Sequence, residues 1–141
     1  MAIRFFTEDI DFKLNNEQVL KKWLSSVAVN AGKKTGAINY IFCSDAFLLN
    51  LNIKYLNHNT FTDIITFPDS MPGATEISGD IYISIDRINE NAILFKTTTD
   101  NELHRVMVHG LLHLLGHTDK TKAEKEQMSQ AEDRCLAMLK V

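Results

Sequence analysis

The sequence predicts an α+β fold: an α/β-type mixed sheet of about four strands, mostly parallel with one antiparallel, packed with about five helices. Three observations carry this reading. Apolar runs at residues 37–43, 63–67 and 79–83 are rich in β-branched and aromatic side chains. Around them lie segments whose apolar residues recur every three or four positions, the period of an amphipathic helix. The 141 residues are 45% hydrophobic and 23% charged, which suits one domain, residues 1–141, with a sizeable core.

Residues 3–6 read as a short strand. Asn16 is placed to cap a helix reaching about Ala31, with Val19, Leu20, Trp23, Leu24, Val27 and Ala28 on one face and Gly32 as its stop. The 37–43 run follows as a mostly buried strand. Ser44 and Asp45 open a second helix, striped by Phe47, Leu48, Leu51 and Tyr55. Residues 57–60 form a polar loop. The 63–67 strand stops at Pro68, a loop carries Pro72 and Gly73, and the 79–83 strand pairs back antiparallel. Residues 85–96 have a helical pattern. Thr99 and Glu102 then read as a capping box, opening a helix with Leu103, Val106, Met107, Leu111, Leu114 and Leu115 inward and Gly116 at its end. A second box, Thr121 and Glu124, starts a last helix with Met128, Ala131, Cys135 and Leu139 on one face.

Composition narrows the class. No run approaches the roughly 20 apolar residues of a membrane span. The first residues lack a signal peptide's long apolar region, so the expected location is the cytoplasm. Cys43 and Cys135 stand in no ligand-like spacing and read as free, buried thiols. The net charge of −3 does not advertise a nucleic-acid binder. For an RNA substrate, local patches must do the electrostatic work, and Lys21-Lys22, Lys33-Lys34 and Lys120/Lys122/Lys125 are the pieces available.

Four of the five histidines fall between residues 104 and 117. His109 and His113, four apart on a helix, can offer two imidazole nitrogens to one metal ion at the end of this central helix. His104, on another face, reads as a surface residue. A catalytic zinc takes a third protein ligand. His117 would lie about 12 Å along the axis from His109 if the helix continued, too far for one ion. A left-handed Gly116 reverses the chain instead and brings a later residue to the pair. Asp119 is favoured as that third ligand, with His117 as the alternative. Gly110 stands where a His-Glu-x-x-His peptidase carries its glutamate base, which counts against peptide hydrolysis. Its place inside a helix points to close packing or close approach of another backbone or of substrate.

The stretch His109-Gly110-Leu111-Leu112-His113-Leu114-Leu115-Gly116 resembles the signature of the YbeY family of endoribonucleases. Leu51-Asn52 with Tyr55, then Thr62-Asp63-Ile64-Ile65-Thr66-Phe67-Pro68, is similar to that family's central block, and Gly79-Asp80-Ile81-Tyr82-Ile83-Ser84 to its next. The resemblance implies a sandwich-like fold, one Zn2+ per chain on the histidine motif and single-stranded RNA as substrate. It also implies a role in 16S rRNA 3′-end maturation and ribosome quality control, with the small ribosomal subunit as partner. Two departures from the family pattern stand out, the end of the histidine motif and Leu56. Asp119 replaces a third histidine, and His117 a tyrosine. That substitution adds a negative charge to the ligand set and widens the accepted metals towards iron or manganese. Leu56 stands where the family has an arginine linked to catalysis, and Lys54, His58 or Lys120 are candidates to replace it. His117 is the candidate general acid or base, and Thr62 and Asp63 border the site. Two other readings stay open: a ribosome-assembly factor with a structural metal, and a zinc hydrolase of another substrate.

Overall fold

The computed structural model describes residues 3–71 and 73–140, so Pro72 of the expected loop lies outside the described residues. Its strands are β1 (Ile3–Thr7), β2 (Lys34–Cys43), β3 (Ile64–Pro68) and β4 (Glu76–Ser84), and they form one sheet in the order β1-β2-β4-β3. β1 and β4 run parallel to β2, while β3 runs antiparallel to β4. The helices are α1 (Glu17–Asn30), α2 (Asp45–Leu56), α3 (Ile85–Leu94), α4 (Thr99–Leu114) and α5 (Lys122–Met138). The mixed sheet with one antiparallel pair and five helices is the architecture the sequence predicts. β2 and β4 begin earlier than expected, because their first residues include polar ones that carry no apolar signal and a register shift interrupts the ladder between Thr35 and Ile38.

The core lies where α1 and α4 cover the sheet. Leu20, Leu24, Ile38, Tyr40, Ile81, Met107, Val108 and Leu111 are fully buried there. Gly110 sets how closely α4 approaches: a Cβ at this position would come within 2.9 Å of Ile64 Cδ1 and of Ile81 Cγ2. Helix-on-sheet packing therefore explains the mid-helix glycine. α5 docks beside α4, and the indole N–H of Trp23 donates to the Cys135 carbonyl at 2.7 Å.

Three local expectations are corrected. Asn16 sits at the α1 cap with φ 60 but its side chain makes no cap hydrogen bond, and Val19 is 40% exposed, outside the buried stripe. The α4 cap is Thr98, which accepts from the Asn101 amide; Glu102 is buried inside the helix instead of closing a box with Thr99. His104 is buried, not on the surface, because α1 crosses that side of α4 and sets Trp23 edge-on to its ring at 6.2 Å. Burial pushes the His104 pKa below the ordinary histidine value. The Thr121/Glu124 box of α5 is formed, and both thiols are free and buried. Burial pushes the Cys43 thiol up to about 12. Among the described residues, no helix is long and apolar enough to cross a membrane.

Candidate metal centre

α4 projects His109 and His113 from one face, with their Nε2 atoms 3.1 Å apart. The helix stops at Gly116, whose φ is +101. Its amide donates to the His113 carbonyl and that of His117 to the Leu112 carbonyl, each at 3.0 Å, the paired bonds of a left-handed helix ending. The chain doubles back, and Asp119 Oδ2 comes to 3.4 Å from the Nε2 of both histidines. A tetrahedral ion with nitrogen and oxygen ligands at about 2.0–2.1 Å has ligand–ligand edges of about 3.3 Å. The His109, His113 and Asp119 atoms match one face of that tetrahedron.

The outer nitrogens are also engaged. His109 Nδ1 lies 2.5 Å from Glu132 Oε2, and His113 Nδ1 lies 3.1 Å from the His117 carbonyl. Both neighbours are acceptors, so this pattern assigns the N–H to each Nδ1 and a lone pair to each Nε2. Two lone pairs and a carboxylate oxygen then face one another with no donor among them. That arrangement repels itself unless a proton or a metal ion lies between, and the spacing of its three atoms fits a metal ion. Burial opposes the charged form of His109, but Glu132, Asp119 and Asp63 outweigh it and hold its pKa above the ordinary value. Glu132 is buried and is itself held by Arg105, whose Nη1 donates to Oε1 at 2.8 Å and which also pairs with Asp133.

Beside this cluster opens a cleft of about 650 Å³. Its opposite wall is the 57–63 segment, with His58, Phe61, Thr62 and Asp63 lining it and Leu56 beside them. Burial raises the Asp63 pKa, with His109 opposing, and Asn91 Nδ2 donates to its Oδ2 at 3.5 Å. The imidazole of His117 lies exposed at the rim. Lys54 is not brought to the cleft: its ammonium lies 5.3 Å from the Tyr55 ring centroid. Lys120 does not line it either, and among the described residues no lysine or arginine does. Sequence reasoning missed Glu132 and Arg105. The only available signal was general: metal-binding histidines usually donate to a carboxylate or carbonyl, and nothing local marks which one.

Comparison with known proteins places the chain. The family model described as Endoribonuclease YbeY matches residues 2–140. A Flavobacterium johnsoniae protein named Endoribonuclease YbeY is 46% identical over 136 residues, 96% of each chain. A Parabacteroides distasonis protein of the same name is 47% identical over 139 residues, 99% of this chain and 96% of its own. A solution structure of a Thermotoga maritima protein shares the fold with a TM-score of 0.64 at 25% identity, covering 96% of this chain and 90% of that one.

Proposed function

The chain belongs to the YbeY endoribonuclease family, and on that premise we propose that it is a zinc-dependent endoribonuclease cutting single-stranded RNA, one ion per chain held by His109, His113 and Asp119. The observation that carries the metal assignment is the convergence of three lone-pair atoms whose imidazoles are fixed from behind by Glu132 and the His117 carbonyl. When bound, the ion supplies Lewis-acid polarisation of a phosphodiester oxygen. Glu132 orients His109 and adds basicity to its ring; the Gly116 reversal positions Asp119. His117 and His58 border the cleft with the side-chain type that gives and takes a proton near neutral pH, and they are the proposed acid and base. Lys54, turned onto Tyr55, is a weaker candidate for that work. The substrate proposed is ribosomal RNA, in 16S 3′-end maturation and ribosome quality control on the small subunit, in the cytoplasm, by residues 1–141 acting as one domain.

The test is metal content by mass spectrometry on wild type, His113→Ala, Asp119→Ala and His117→Ala, each assayed with a single-stranded RNA. One zinc per wild-type chain is expected, lost in the first two variants and kept in the third, with cleavage lost wherever zinc is lost. A folded wild type that takes up neither zinc, iron nor manganese would remove the metalloenzyme reading. Zinc retained without any RNA cleavage would leave the structural-metal assembly factor in its place.

A further inference from the structure

Phe61 is a large aromatic side chain left 57% exposed in the wall of the cleft. Its position is braced. Asn52, itself buried, donates from Nδ2 to the Thr60 carbonyl at 2.8 Å. On the other side, the Thr62 hydroxyl donates to the Ile64 carbonyl at 3.3 Å, and the Ser84 amide to the Asp63 carbonyl at 3.0 Å. The ring is backed as well. The Arg87 guanidinium lies over it, Cζ 5.4 Å from the centroid, and is held in turn by Asp45 at 2.6 Å and Glu90 at 2.9 Å. One face rests on a fixed cation, leaving the rest of the ring open.

The charge in the cleft points the same way. Among the described residues its walls carry Asp63 and Asp119 but no lysine or arginine. Single-stranded RNA offers a protein two handles, phosphates and the faces of unpaired bases. Beyond the metal ion proposed for His109, His113 and Asp119, the lining offers phosphates no cationic side chain, while a braced, exposed ring suits a base. Resting on the reading that the substrate is single-stranded RNA, we propose that Phe61 is a base-stacking platform, with Arg87 behind it. An unpaired nucleobase seats on the open face of the ring, and this stacking does more than phosphate neutralisation to hold the strand at the cleft. Such a platform accepts any base but needs it out of a duplex. It also implies a shallow dependence of binding on salt, because few counterions are released.

The test uses the full-length, zinc-loaded protein and single-stranded RNA oligonucleotides carrying one 2-aminopurine at successive positions. Wild type is expected to quench the probe at one position. Phe61→Ala should weaken binding roughly 5- to 100-fold with zinc content unchanged. Phe61→Trp should restore binding, and Phe61→Leu, apolar but unable to stack, should not. An abasic site at the quenched position should erase the difference between wild type and Phe61→Ala. Equal binding by wild type, Phe61→Ala and Phe61→Leu, with RNA still cleaved, would overturn the platform and leave the endoribonuclease reading standing. A steep salt dependence, worth about four phosphates or more, would likewise return the affinity to the backbone. Wild type that binds no single-stranded RNA would overturn both readings.

Discussion

Glu132 lies 23 residues from His109, on a different helix, yet its carboxylate reaches that ring at 2.5 Å. Its charge holds the imidazole in the tautomer that presents Nε2 to an ion. Glu132→Gln keeps the side chain's size and one acceptor but removes the charge, and leaves Arg105 its second partner, Asp133. The expected result is a metal affinity lower by about 10- to 100-fold with the fold intact. Competition against a chromophoric chelator measures the affinity, and circular dichroism checks the fold. An unchanged affinity would mean that Glu132 serves Arg105 and not the metal site.

At the scale of elements, α4 lies on the sheet only because position 110 has no side chain. Gly110→Ala places a methyl 2.9 Å from the side chains of Ile64 and Ile81, and the Ile81 contact is at a β-branched methyl with little freedom to move. Overpacking of this kind costs about 1–3 kcal/mol, and the better helix propensity of alanine returns about 1 kcal/mol. A net loss of up to about 2 kcal/mol is expected from the urea midpoint; a gain would show that α4 can lift from the sheet freely. The same packing separates what was legible in the sequence from what was not. Apolar periodicity placed every strand and helix, because each element buries one face. The His109/His113 pair and the Gly116 turn were readable because they depend on spacing and on one residue's backbone freedom. The α4 cap was misplaced by one residue because Thr98 and Thr99 are equivalent in sequence, and only the backbone decides which accepts from Asn101. His104 was placed on the surface by reference to His109 alone; its burial comes from α1, which the sequence of α4 cannot report. Glu132 was invisible for the same reason.

At the scale of the molecule, the three ligand atoms come from α4 and the turn after it, and their support comes from a third segment, α5. α4 supplies His109 and His113, the turn after it supplies Asp119, and α5 supplies Glu132 from behind. An ion at this point therefore ties α4, the turn and α5 together. It binds the folded chain only, since the unfolded chain does not hold these atoms as a set. At a free concentration one hundred times the dissociation constant, such binding stabilises by about 2.7 kcal/mol. For a chain of this size, that corresponds to a rise in Tm of roughly 5–10 °C. Removing metal with a chelator should lower Tm by this amount, and His113→Ala should show no response to the chelator. The secondary structure should survive, because α5 stays docked through buried Met128 and Ala131 and through the Trp23–Cys135 hydrogen bond. Amide exchange should then quicken first in residues 116–121, where the backbone is held by the reversal at Gly116 and by Asp119. Equal Tm with and without saturating zinc, in a protein that mass spectrometry shows to carry it, would mean that the unfolded chain binds the ion as tightly as the folded one and that the fold does not assemble these atoms as a set.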